Sequence, residues 1–214
     1  IVASVVAGAV LVAGGMGAFV AMGASGASEP ATQSGPATTA AARNTKDILS
    51  DLDSTMAKLD AATPQEASFI SDPAARAKAA PAMLPLLQKM DGILTELATA
   101  EPKFADNVLA NRYDLFAMRA LLGDAGARST LETQKAGSDP ALATQADLAL
   151  SSVDWWNDAH DAAAQSKVLD HLQTLASRDP TSNPVTRTLL KLAALGPATP
   201  DLARIEQVRQ GHPR

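Results

Sequence analysis

The stretch Met83–Leu97, MLPLLQKMDGILTEL, carries the strongest helical pattern in this 214-residue chain. Its large apolar residues recur three or four positions apart, as they do along one face of an α-helix. The charged residues Lys89, Asp91 and Glu96 fall off this stripe, as an amphipathic helix requires. The pattern predicts that the central core contains Leu86, Leu87, Met90, Leu94 and Leu97.

Comparable stripes recur from residue 44 to the end of the chain, and they predict further helices. The first consists of Ile48, Leu52, Met56 and Leu59. Later stripes include Val108, Leu115 and Leu122; Val168, Leu169 and Leu172; Val185, Leu189 and Leu192; and Leu202, Ile205 and Val208. A weaker stripe consists of Leu142, Leu148, Val153 and Trp156.

Helix starts are indicated wherever a capping residue stands directly before proline. Such pairs are Thr63-Pro64, Asp72-Pro73, Asp139-Pro140, Asp179-Pro180, Asn183-Pro184 and Thr199-Pro200. Gly123 and Gly196 follow leucine-rich stripes and are predicted helix stops. Pro81 is predicted to begin a new helix after a short one, with Pro85 in its first turn.

The fold class that follows is all-α. Alternating Val, Ile, Thr or Tyr runs and Asn-Gly hairpins, which signal strands, do not occur. Residues 44–214 are predicted to form one all-helical domain, either an antiparallel helix bundle or a short αα superhelix. The segments Leu122–Leu131 and Ser138–Leu148 resemble a HEAT-type unit, and the chain after Asp179 resembles a tetratricopeptide connection, without a regular period.

The N-terminal part of the chain has a different character. Ile1–Gly23 is almost wholly apolar and long enough to cross a bilayer as a helix. Residues 1–24 are therefore predicted to be a transmembrane anchor or a cleaved signal peptide, and both alternatives stay open. Residues 25–43, rich in Ala, Ser, Thr and Pro, are predicted to be a flexible linker. These segments predict an extracytoplasmic (periplasmic) envelope protein, anchored or secreted.

Composition excludes several classes of function. The chain has no cysteine, which rules out disulfides and thiol chemistry within it. Its net charge is -5 with no basic stripe, and aromatic residues make up only 3% of it, so nucleic acid is not an expected partner. No cofactor is predicted either, because no glycine-rich phosphate loop is found.

The densest polar cluster is Asp154–Asp161, DWWNDAHD. It lacks the glycine turn and closing glutamate of a calcium loop, so it is interpreted as a helix boundary whose aspartates cap the next helix. Trp155 and Trp156 point about 100° apart on a helix, which predicts that one is core and the other partly exposed. No catalytic, cofactor-binding or metal-binding residue is assigned.

His160 and His171 are predicted to be separate surface residues. On one helix they would share a face, but about 16 Å apart at 1.5 Å per residue, which is too far to share a metal ion. No serine lies in a nucleophile-elbow or Ser-x-x-Lys setting.

The segment from Trp155 to Val208 resembles a known family. Its Asp161–Asp170 run, DAAAQSKVLD, and Ala198–Pro200, ATP, are similar to the helical region ahead of thioredoxin-like (redoxin) domains in envelope proteins of planctomycete-type bacteria. The resemblance extends more loosely over Ser71–Val208. It implies an exported helical accessory domain, and it carries over no catalytic residue because the redoxin cysteine pair is absent.

These observations predict a non-enzymatic, membrane-tethered or secreted scaffold domain that binds another envelope protein. If uncleaved, Ile1–Gly23 would also make the membrane a partner. The alternative is an N-terminal docking module of a redoxin protein whose catalytic domain lies beyond Arg214. A Ser- or metal-dependent hydrolase is disfavoured.

Overall fold

The computed structural model describes residues 43–66, 68–178 and 183–194, and 84% of these residues are helical. Within these ranges there are no strands, which confirms the predicted all-α fold. The α-helices are α1 Thr45–Ala62, α2 Pro73–Ala100, α3 Ala105–Leu121, α4 Ala125–Lys135, α5 Pro140–Asn157, α6 Ala162–Arg178 and α7 Asn183–Ala194. A short 3-10 helix, Pro102–Phe104, lies between α2 and α3.

The predicted N-terminal segments, residues 1–24 and nearly all of 25–43, lie outside the described residues. The same holds for the last predicted stripe (Leu202, Ile205 and Val208), for the predicted helix stop Gly196, and for the pairs Asp179-Pro180 and Thr199-Pro200. In the part that the structure describes, no helix is both long enough and apolar enough to span a bilayer.

The chain divides into two compact units. The first contains the described residues up to Gln65 together with Ala82–Leu115. The second contains Glu66–Pro81 and the described residues from Phe116 onward. The chain therefore passes from one unit to the other between Gln65 and Glu66, then inside α2 and again inside α3.

In the first unit, α1 begins after Asn44, whose side-chain oxygen accepts a hydrogen bond from the Asp47 amide at 2.9 Å. The buried face of α1 consists of Ile48, Leu52, Thr55 and Leu59. Met56, which the sequence places on this stripe, is only half-buried, and Thr55 takes its place. Thr55 can be buried because its hydroxyl donates to the Asp51 carbonyl one turn earlier, at 2.7 Å.

The predicted core of α2 is confirmed in all but one residue. Its buried apolar residues in the first unit include Met83, Leu87, Met90, Ile93, Leu94 and Leu97. Leu86 is only half-buried, contrary to prediction. The positions 83, 87, 90, 94 and 97 alternate steps of four and three, which keeps them on one face. Leu86 precedes Leu87 by one residue and is rotated about 100° from it, toward the edge of that face.

The helix break predicted at Pro81 is wrong, since α2 runs without interruption from Pro73 to Ala100. Pro81 and Pro85 lack the amide hydrogens that would bond to the carbonyls of Ala77 and Pro81. All three residues are exposed, so these carbonyls lie on the solvent side, where water can bind them. The prolines are therefore tolerated inside the helix.

Ion pairs connect the helices of the first unit. Asp51 on α1 accepts hydrogen bonds from Lys89 on α2, at 2.6 Å, and from Arg43, at 3.1 Å. The bond from Lys89 is the main reason why the pKa of Asp51 lies below its ordinary value. Arg112 on α3 pairs with Asp91 on α2 at 2.6 Å.

In the second unit, α5 is the central helix and packs against α4, α6 and α7, while α6 also packs against α7. The segment Ala146–Ser151 of α5 is buried without a break. Trp155 is buried in the core cluster with Leu172 and Leu189, whereas Trp156 is partly buried against that cluster. This confirms that one tryptophan is core and the other partly exposed.

The predicted helix starts at Asp72-Pro73 and Asp139-Pro140 are confirmed. Asp72 accepts from the Ala74 amide at 2.8 Å, and Asp139 caps α5. The helix α7 begins at Asn183, next to Pro184.

Thr63-Pro64 does not begin a helix: Thr63 ends α1, and its hydroxyl donates to the Leu59 carbonyl at 2.7 Å. Gly123 lies two residues after the end of α3 and has a positive φ of 92°, as predicted for a glycine at a helix stop.

Candidate functional site

The second unit contains an open groove of about 610 Å³ lined by residues of α4, α5 and α6. Aspartate caps fix the start of each of these helices. Asp124 accepts from the Ala127 amide of α4 at 3.1 Å, and Asp139 accepts from the Ala141 amide of α5 at 2.9 Å. Asp161 accepts from the amide of Ala163 on α6 at 2.9 Å.

One end of the groove is organised by Asp147 on α5. Its side chain is only 11% exposed and bonds to a side-chain nitrogen from each neighbouring helix. Lys135 on α4 lies 2.7 Å from Oδ1, and Nε2 of His171 on α6 lies 3.0 and 2.9 Å from the two carboxylate oxygens. The hydrogen bond requires the proton on Nε2, so the carboxylate fixes the orientation of the imidazole.

The other end of the groove is organised by Arg128 on α4. Its guanidinium pairs with Glu132 one turn later and with Asp154 on α5, both at 3.0 Å. Burial disfavours the charged form of Arg128, but the two carboxylates outweigh burial and raise its pKa. This end therefore holds one cation between two anions.

The floor between these ends is apolar except for Ser151. Leu150 and Ser151 on α5 are buried, and Val168 on α6 is half-buried. Lys167 lies on α6 beside this floor and is exposed. Among the described residues it makes no ion pair, in contrast to the other charged residues that line the groove.

This arrangement is suited to binding. Each carboxylate that lines the groove, on Glu132, Asp147 and Asp154, already holds a cation. The floor offers apolar surface, and the edges offer fixed charges that can select the orientation of a ligand.

The polar cluster Asp154–Asp161 is a helix boundary, as predicted. Asp154 and Asp158 lie at the end of α5, and Asp161 caps α6. Within the ranges that the structure describes, no three His, Asp or Glu side chains are grouped so that they could hold a metal ion.

Both histidines are exposed, as predicted, but they do not lie on one helix. His160 lies in the turn between α5 and α6, so it does not share a helix face with His171. His171 is not isolated, because its imidazole bonds to Asp147, 24 positions earlier in the chain. A signal was available in the sequence: Asp147 interrupts the apolar run Ala146–Leu150, and a carboxylate in such a run needs a partner.

Comparisons with known protein families, curated proteins and solved structures give no match to this chain.

Proposed function

We propose that this chain is a non-enzymatic protein-interaction domain of the cell envelope, which binds a segment of another envelope protein in the groove of the second unit. The observation that supports this most directly is the apolar floor of Leu150 and Val168 between two sets of ion-paired side chains. An apolar centre with a polar rim is the usual anatomy of a protein-binding surface.

The rim is organised before any ligand arrives. Asp147 is held by the Lys135 ammonium and the His171 imidazole, and Arg128 is held by two carboxylates. Side chains that are already ordered lose little entropy when a partner binds, which favours affinity. The same pairing leaves these carboxylates occupied, which is why binding is proposed here and not acid–base catalysis.

The location of the protein is proposed from Ile1–Gly23 alone. This apolar stretch would anchor the chain in the membrane or direct its secretion, with residues 25–43 as a spacer. A fusion of residues 1–45, with the native upstream start, to a reporter active only outside the cytoplasm tests this proposal. Activity outside the cytoplasm is expected, and a reporter active only inside would contradict it.

The alternative proposal is a docking module for a thioredoxin-like domain. It is supported by one observation: the run Asp161–Asp170, which resembles the region ahead of redoxin domains, contributes Lys167 and Val168 to the groove. The partner would then be a redoxin domain of the same protein or of a neighbouring one.

Photo-crosslinking of the natural full-length protein in cells tests the proposed function. The crosslinker p-benzoylphenylalanine is placed at Val168, in the groove, or at Ser177, which is exposed on the opposite side of α6. A discrete protein adduct formed from position 168 and absent from position 177 is expected. Equal adducts at both positions, or none at position 168, would contradict the proposal, and a redoxin domain in the adduct would support the alternative.

A further inference from the structure

Not every charged residue that lines the groove has an ion-pair partner among the described residues. Asp147 pairs with Lys135 and His171, and Arg128 pairs with Glu132 and Asp154. Lys167, one helical turn from His171 on α6, has no carboxylate partner among the described residues. Because α5 and α6 are joined by a short turn, they run antiparallel, and Lys167 lies near the middle of the groove.

We infer that the groove binds a peptide segment in which a carboxylate side chain stands next to a large apolar side chain. This inference rests on the proposed function and specifies the chemistry of the partner. The carboxylate would complete the charge pairing of the groove by binding the Lys167 ammonium, and the apolar side chain would cover Leu150 and Val168.

The dimensions of the groove agree with such a segment. Asp147 and Asp154, which mark its two ends, are seven residues apart on α5 and so about 10 Å apart along the helix axis. An extended peptide rises by about 3.3 Å per residue, so about three residues would fill this length. An apolar residue with one acidic neighbour therefore occupies the floor and reaches Lys167 at the same time.

A carboxylate ligand fits the groove better than a cationic one for a structural reason. At the Arg128 end, both carboxylates already accept hydrogen bonds from the guanidinium. A basic peptide would have to compete with Arg128 for them, and its charge would be repelled by Lys167. An acidic peptide meets the unpaired ammonium without breaking an existing ion pair.

Fluorescence anisotropy with three probes tests this inference on the full chain in detergent micelles. Each probe is a fluorescein-labelled, C-terminally amidated peptide with the centre Glu-Leu-Glu, Gln-Leu-Gln or Lys-Leu-Lys. We expect the glutamate probe to bind best and the glutamine probe to bind about two- to fivefold more weakly, as for a surface ion pair. Val168→Asp should abolish binding of the glutamate probe, which would place the site in the groove.

Charge reversal supplies the matched control. Lys167→Glu should reverse the preference in favour of the lysine probe, whereas Lys58→Glu, at an exposed position of α1, should leave the preference unchanged. Circular dichroism of both variants verifies that they fold. Equal binding of the glutamate and glutamine probes, or an unchanged preference in Lys167→Glu, would overturn the inference while leaving a peptide-binding groove. Failure of all three probes to bind would contradict the proposed function as well.

Discussion

The guanidinium of Arg76 donates a hydrogen bond from Nη2 to Oδ1 of Asn157 at 2.9 Å, across 81 positions of sequence. Its Nη1 donates to the carbonyls of Ile70 and Trp156, the latter at 3.1 Å. Arg76 is 5% exposed, and burial lowers the pKa of its guanidinium. Trp156 and Asn157 form the end of α5, where the helix dipole favours a cation. Arg76 thus links the segment Glu66–Pro81 by hydrogen bonds to α5, the central helix of the second unit.

Replacing Arg76 should therefore destabilise the second unit. Arg76→Met removes the donors for two carbonyls and one amide oxygen, and a loss of about 2–3 kcal/mol in the free energy of unfolding is expected. Trp155 and Trp156 are the only tryptophans and both lie in this unit, so tryptophan fluorescence during urea unfolding reports on it. Arg178→Met, at an exposed position, is the control and should change stability by less than about 0.5 kcal/mol. Equal unfolding midpoints for the two variants would show that the Arg76 contacts contribute nothing.

The Arg76 contacts illustrate what the sequence could not reveal. The all-α class and most of the core of α2 follow from local spacing, because a helical stripe is a property of neighbouring residues. The pairing of Arg76 with Asn157, or of Asp147 with His171, depends on which helices meet. Helix α5 was also hard to predict from local spacing. It is buried on several faces, so its apolar residues have only a weak helical period. The prediction at Pro81 failed because the cost of a proline depends on whether the freed carbonyl reaches water.

Leu94 tests the core of the first unit. It is fully buried on α2, so Leu94→Ala should lower the free energy of unfolding by about 2–5 kcal/mol through lost transfer energy and a residual cavity. Leu86→Ala, on the half-buried edge of the same helix, should cost clearly less. Glu96→Ala removes only an exposed ion pair with Arg43, worth less than about 1 kcal/mol. The measurement is urea unfolding followed by circular dichroism, and a Leu86 effect as large as that of Leu94 would contradict the assigned core face.

Asp124 makes the stability of the second unit depend on pH. Burial alone would raise the pKa of its carboxyl, but hydrogen bonds from Arg119 and from the amides of Ala127 and Gly126 outweigh burial and hold the pKa below its ordinary value of 3.8. The folded protein thus binds this proton less tightly than the unfolded chain does. The resulting stabilisation is present above the unfolded pKa and is lost as pH falls through the folded pKa.

Asp124→Asn isolates this contribution, because asparagine is as good a helix cap as aspartate but carries no charge. At pH 7 the variant should be less stable than the original protein by about 1 kcal/mol, through loss of the pairing with Arg119. The difference should shrink as the pH is lowered from about 5 to about 3. Thermal unfolding followed by tryptophan fluorescence measures it, and a difference that stays constant over this range would exclude a role for the Asp124 charge.

Replacing Gly92 or Gly123 by alanine should change the free energy of unfolding in opposite directions. A Cβ atom at either position would meet nothing within 4 Å, so sterics do not distinguish them. Gly92 lies inside α2, where alanine is favoured over glycine, and Gly92→Ala should stabilise the first unit by about 0.5–1 kcal/mol. Gly123 has φ 92°, a conformation that alanine adopts only with strain, so Gly123→Ala should destabilise the second unit by about 1 kcal/mol or more. Thermal unfolding followed by circular dichroism gives the sign of each change. A stabilising Gly123→Ala would mean that the turn between α3 and α4 relaxes to negative φ without cost.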